Sequence, residues 1–206
     1  MTNEIAKGVK EEIKRMINWM DEQELNDQQI EAVVKEILST QDDKGNNIKT
    51  IFVGGWGRSG LVAEAFAMRL AHLKLDARSI TENTMPPFTK GDLFFVISGS
   101  GDSLKGQMEI AIKISAKLIT ITSLPGSIAA RQADIKLIVP GRKEDEEGAD
   151  LNFFERQMKG IPAFPLGTAF ELLAMVVLDA IIAQIAAIRK KSNEDLKKQH
   201  ANVPPM

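Results

Sequence analysis

Two short segments hold most of the residues whose types and spacing could do chemistry. Ser98-Gly-Ser-Gly-Asp-Ser103 follows the apolar run Leu93-Phe-Phe-Val-Ile97, and Gly55-Trp-Gly-Arg-Ser-Gly60 follows Ile51-Phe-Val53. Glycine lets a ligand approach the backbone closely. A helix that opens directly afterwards offers unpaired N–H groups and the positive end of its dipole. Ser98, Ser100 and Ser103 add hydroxyl donors. Such a loop binds anions, and a phosphate monoester, with about two negative charges near neutral pH, suits it. Two such loops in one sheet would hold one anionic ligand from two sides. The plainer alternative is a flexible turn closed by a Ser or Asp N-cap.

Gly55-Trp-Gly-Arg-Ser-Gly60 also fits the dinucleotide fingerprint G-x-G-x-x-G, with Glu82, 22 residues past Gly60, in the place of a ribose acid. Arg58 and Ser59 suit a phosphate or a sugar hydroxyl instead. Both readings stand at this point. Glu171 lies just ahead of Leu172–Ile188, a stretch apolar except for Asp179 and Gln184. A carboxylate in such surroundings needs a partner or a task. It is either a general base or one half of an ion pair with an arginine. His200 is either a proton shuttle or a histidine at a helix C-terminus, where the dipole favours it. His72 sits among apolar residues at helical spacing and reads as a core or interface histidine. Two histidines and no cysteine give no metal-ligand spacing, so we expect no metal site.

These groups must be positioned by a chain of 206 residues, enough for one domain with a sizeable core. Hydrophobic residues make up 44% and charged residues 26%, and the net charge of -2 gives no electrostatic reason to expect nucleic acid or an acidic membrane as partner. The absence of cysteine excludes disulfides. The first residues lack the apolar core of a signal peptide, so a cytoplasmic location is expected. Leu172–Ile188 is shorter than the roughly 20 residues of a membrane span and carries a carboxylate, so it reads as a buried helix.

Residues 3–20 and 27–38 show helical periodicity, with Asn26 or Asp27 as N-cap, and form an N-terminal hairpin (1–45). Strands then alternate with helices through an α/β core (46–165). The strands fall at 50–54, 77–81, 92–97, 118–122 and 135–139, and the intervening helices at 59–74, 102–117 and 127–132. This alternation implies a three-layer α/β sandwich with a parallel sheet of order 2-1-3-4-5, the flavodoxin-like winding. Ligands bind where that winding reverses, between strands 1 and 3, and those two strands carry the glycine/serine exits. Arg142–Gly148 reads as a solvated charged loop. C-terminal helices (166–206) follow, the last opened by Ser192 and Asp195 as a capping box and stopped by Pro204-Pro205. Helices 59–74 and 166–190 are apolar on more than one face, so a homo-oligomer is expected.

The two loops resemble the SIS (sugar isomerase) domain family, the serine loop most of all. The resemblance continues through Met68-Arg-Leu-Ala-His-Leu73, Phe154-Glu-Arg-Gln157, Pro165-Leu-Gly-Thr-Ala-Phe-Glu171 and His200-Ala-Asn202. That ordered set is similar to the 6-phospho-3-hexuloisomerases. Thr81-Glu82-Asn83 stands where that family usually has Gly-Glu-Thr. The resemblance implies a single SIS domain over 1–206, a homotetramer, and interconversion of 3-hexulose 6-phosphate with fructose 6-phosphate in formaldehyde-linked ribulose monophosphate chemistry. Arabinose 5-phosphate isomerisation, or phosphosugar binding without turnover, are the alternatives. Moving a carbonyl between C3 and C2 needs a base near both carbons and a donor near both oxygens, and no redox cofactor. Glu171 is expected as the base and His200 as the second catalytic group. Gly57, Arg58, Ser59, Glu82, Asn83, Ser98, Gly99, Ser100, Ser103 and Thr168 are expected to bind the phosphorylated sugar.

Overall fold

The computed structural model describes residues 2–142, 151 and 153–200, without the side chains of Thr2, Asn3, Phe153 and Gln157. The charged stretch after Arg142, the Ala201-Asn202 pair and Pro204-Pro205 lie outside the described residues.

Five strands form one parallel sheet of order β2-β1-β3-β4-β5, as the alternation of strand and helix implied. They are β1 (Ile51–Gly54), β2 (Ala77–Ser79), β3 (Leu93–Ile97), β4 (Lys117–Thr122) and β5 (Ile135–Ile138). Alternate residues face opposite sides of a strand. Ile51, Val53, Leu93, Phe95 and Ile97 therefore enter one core, and Phe52, Phe94 and Val96 the other. The first core is closed by α2 (Asp27–Leu38), α3 (Arg58–His72) and α7 (Thr168–Ile188). The second is closed by α4 (Lys105–Ile114) and α5 (Ile128–Gln132). Near-continuous apolar strands are what a sheet covered on both faces requires.

The flanking pieces have identifiable fastenings. Asn26 is the N-cap of α2, its side chain accepting from Gln29 N. The Gln29 side chain in turn accepts from Ile138 N, which satisfies a donor on the free edge of β5. The N-terminal helix α1 (Thr2–Asp21) packs on the segment that leads into α7: Glu12 accepts from Ala163 N at 2.6 Å, and Trp19 meets Phe164 edge to face. Helix α7 is long and apolar enough by composition to cross a membrane. Its buried residues, from Phe170 to Ala186, pack it into the first core instead. The last helix, α8 (Asn193–Lys197), opens with the Ser192/Asp195 capping box.

Three local departures from the sequence pattern have physical causes. The apolar spacing predicts a helix from Asp102, but α4 starts at Lys105. Leu104 takes a left-handed conformation (φ 62°) so that its side chain can enter the second core. Strand β2 stops at Ser79, two residues early, where a turn closes with Glu82 N donating to Ser79 O and the Glu82 side chain accepting from Ser79 N. Residues 153–158, without a strong periodic signal, form the short helix α6 (Phe153–Met158).

Phe95 is fully buried at the centre of the first core and meets Phe66 edge to face at 5.5 Å. Phe95→Ala should lower the unfolding free energy by about 3–5 kcal/mol, the usual cost of a phenyl-sized cavity, in a urea titration. A loss under about 1 kcal/mol would contradict this packing.

Candidate active site

Strands β1 and β3 are hydrogen-bonded neighbours, with Gly54 opposite Val96. Their exit loops therefore emerge side by side at the carboxyl edge of the sheet. The first turn of α7 comes down on both. Phe170 packs against Gly99 of the serine loop, so closely that a Cβ there would stand 2.9 Å from the phenyl ring. One residue later Glu171 reaches the other loop, where Arg58 Nε donates to its Oε2 at 2.7 Å. The Glu171 side chain is 8% exposed and the Arg58 side chain 56%. The pair thus has a buried acid and a cation at the mouth. Arg69 and Asp179, 4.0 Å apart, run alongside farther down the same two helices, so α3 and α7 are parallel and start together.

Three helices begin at this edge, and none of the three has a side-chain cap. Gly57 precedes α3, Leu104 precedes α4 and Gly167 precedes α7, and among the described residues no side chain accepts from the first-turn N–H groups of these helices. Asn26 caps α2, Ser127 caps α5, whose start meets the serine loop where Ala129 N donates to Gly101 O, and Ser192 caps α8. Unpaired donors concentrated at one place, with three positive dipole ends, suit an anion.

The serine loop is braced from within. Ser98, buried, donates to Ser103 Oγ at 3.2 Å and accepts from Gly101 N at 3.1 Å. Ser100 Oγ accepts from Asp102 N at 3.4 Å. The hydroxyl protons of Ser100 and Ser103 have no protein acceptor among the described residues, which leaves them to a ligand. Ser59 and Thr168 are buried in the first turns of α3 and α7. Gly57, Arg58, Ser59, Ser98, Gly99, Ser100, Ser103, Thr168 and Glu171 are thus brought to one edge.

Other expected site residues lie elsewhere. Glu82 spends one oxygen on Ser79 N and sets the other 4.0 Å from Arg78, beside an open groove of about 330 Å³ that Glu64 and Met68 also line. Asn83 is exposed in the turn that follows. Neither touches the serine loop among the described contacts. His200 stacks on His72, ring centroids 5.4 Å apart, at the C-terminal end of α3. Arg58 begins that helix, so the histidine pair is roughly 20 Å away from it at 1.5 Å per residue. Arg142 reaches the site instead, unmarked by any motif. Its side chain lies against Gly99 and Gly167. The only sequence signal is its place at the carboxyl end of β5, directly after Pro140-Gly141.

Burial, with smaller contributions from Arg69 and His200, holds the His72 imidazole below its usual pKa. In the unfolded chain the imidazole protonates below about pH 6.5, while in the fold it resists. The unfolded state then binds more protons, so stability falls as pH drops below that value. His72→Gln should flatten the fall in melting temperature between pH 7 and pH 5. An unchanged slope would show that His72 does not carry it.

Comparison with known proteins agrees with this architecture. Residues 46–158 match the SIS domain family. A 3-hexulose-6-phosphate isomerase of Methylomonas aminofaciens is 36% identical over 82% of this chain and 86% of its own length. An uncharacterized protein of Aeropyrum pernix is 35% identical over 98% of this chain and 94% of its own. A Methanococcus jannaschii crystal structure, from which a 3-hexulose-6-phosphate isomerase function was inferred, superposes with a TM-score of 0.68 at 27% identity, covering 98% of this chain and 99% of the other. With its parallel sheet, paired exit loops and matching relatives, the chain belongs to the SIS domain family.

Proposed function

We propose that this chain is a phosphosugar isomerase that interconverts 3-hexulose 6-phosphate and fructose 6-phosphate through an enediol. The observation that carries the reading is Glu171, a buried carboxylate aimed by Arg58 at an edge where three uncapped helices begin. The relatives named 3-hexulose-6-phosphate isomerase support the choice of sugar.

In this reading the phosphate rests on Ser100 and Ser103, with Gly99 giving it close backbone approach. The sugar then extends toward Gly57, Arg58, Ser59 and Thr168. The Glu171 carboxylate takes the proton from C2 of the 3-ketose, and the C3 carbonyl becomes the second enediol oxygen. Glu171 returns the proton at C3 while O2 gives up its own and becomes the new carbonyl. Carbon and oxygen only exchange protons, so we expect no redox cofactor. Arg58, next to the carboxylate, is placed to donate to the oxygens as charge develops on them.

A shuttle between O2 and O3 is the task left for His200. In this proposal His200, roughly 20 Å from Arg58 along α3, serves the site of a neighbouring subunit. We propose that the chain assembles as the homotetramer the resemblance implies and that it is cytoplasmic. Exposed apolar residues support assembly: Leu61 and Met68 on α3, Val176 and Ile188 on α7, and Ile5 and Ile13 on α1. Glu82 and Asn83 contact the sugar in this proposal only after the turn at 80–83 rearranges.

Glu171→Gln keeps the side-chain volume and an acceptor for Arg58, which is already half in water, so the fold should survive. Turnover of fructose 6-phosphate should fall about 100- to 10,000-fold, the range for loss of a general base, while sugar phosphate binding stays within a few-fold. Activity within a few-fold of wild type would remove Glu171 from the role. Ser100→Ala should weaken binding of fructose 6-phosphate more than binding of fructose. Equal losses would place the phosphate elsewhere.

A further inference from the structure

Arg142 occupies the one side of the serine loop that no part of the proposed mechanism uses. It leaves the sheet after β5, through Pro140-Gly141, and is bound to the loop by two backbone links. Its N–H donates to Ser123 Oγ at 3.1 Å, and Ser123 N donates to Gly99 O at 3.2 Å. The side chain then lies across the loop. A Cβ on Gly99 would stand 3.0 Å from Arg142 Cδ and Nε, and one on Gly167 would stand 2.7 Å from Nη2 and 2.8 Å from Nε. Both positions are glycine, so the guanidinium fits between the serine loop and the N-cap of α7. There it lies beside the uncapped start of α7.

Charge is what this place otherwise lacks. Ser98-Gly-Ser-Gly-Asp-Ser103 offers only neutral donors, and its one charged residue, Asp102, is acidic and exposed. Arg58, the cation of the other loop, is engaged by Glu171, and Lys105, which opens α4, is exposed. No salt bridge involves Arg142 among the described residues, and it is exposed on its outer side. A guanidinium presents several N–H groups in a fixed fork that matches phosphate oxygens.

We propose that Arg142 is the cationic contact for the phosphate of the ligand held at the serine loop. The inference rests on the phosphosugar reading above and adds a residue to it. Arg142 supplies the fixed positive charge, the helix starts and serines supply direction, and the sugar end is left to Arg58 and Glu171. The site therefore prefers phosphorylated sugars to their neutral analogues largely through one side chain from the β5 exit.

The test is calorimetric titration of wild type, Arg142→Lys and Arg142→Met with fructose 6-phosphate, inorganic phosphate and fructose, beside steady-state kinetics. Arg142→Met should weaken binding of both phosphate-bearing probes about 10- to 100-fold, the scale of a lost charge-assisted hydrogen bond, and leave fructose binding unchanged. It should raise KM by a similar factor with kcat within about threefold, since phosphate contacts act equally in ground and transition states. Arg142→Lys should fall between wild type and Arg142→Met, because it keeps the charge but loses the fork. Melting temperatures check that both variants fold. A Met variant that loses as much affinity for fructose as for the phosphate-bearing probes would assign Arg142 to packing and overturn the proposal, as would a Met variant that binds like wild type. Wild-type binding of fructose 6-phosphate without turnover would remove the isomerase reading and leave Arg142 standing. Failure of wild type to bind either phosphate-bearing probe would overturn both.

Discussion

The ion pair between Arg58 and Glu171, 2.7 Å apart, is the contact on which the rest of the site depends. Its partners are 113 residues apart in the chain. One belongs to the loop that leaves β1 and the other to the first turn of the C-terminal core helix. Removing the arginine would leave a buried carboxylate without a partner, which proteins seldom tolerate. The pair can form only because other elements bring its ends together. The β1–β3 pairing places Arg58 beside the serine loop. Phe170 on Gly99 sets the height of α7. Helix α1 holds the entry to α7 through Glu12 and Trp19.

Helix caps are unevenly spread over the fold. Asn26, Ser127 and Ser192 each satisfy a helix start. A cap of this kind contributes about 1 kcal/mol. The starts of α3, α4 and α7 forgo it, and all three lie at the same edge. Leu104 adds the cost of a left-handed residue, offset by the burial of its side chain under the loop. Unsatisfied donors and backbone strain kept together at one edge are the marks of a surface shaped for a ligand. The bracing inside the serine loop fixes the hydroxyls of Ser100 and Ser103 ahead of binding, so less ordering remains when the ligand arrives.

The sheet was legible because its signals are local. Each strand is a short apolar run closed by glycine, serine or proline, and the helices between them keep a clear period. The serine loop and Arg58 could be placed from the same signals, since a loop that leaves a parallel strand must lie at its carboxyl end. Features that depend on the return of the chain were not legible. Arg142 opens a run of charges that reads as solvated surface, and only its contact with Gly99 and Gly167 sets it apart. Glu82 has the residue type for a sugar contact, but a bond to a backbone three residues away turns it aside. His200 has the type for proton transfer, yet α8 folds back onto the far end of α3 and pairs it with His72. Nothing in the spacing of residues 190–200 encodes that destination. Glu171 was ambiguous between base and ion-pair partner. The structure shows the ion pair.

The most direct test of the account is solvent proton exchange. The purified chain would be incubated with fructose 6-phosphate in heavy water and the sugar followed by NMR. Proton transfer by Glu171 through a 2,3-enediol predicts deuterium at C3 of fructose 6-phosphate together with the appearance of a 3-hexulose phosphate. Fructose 6-phosphate that binds and keeps its C3 proton through long incubation would contradict it.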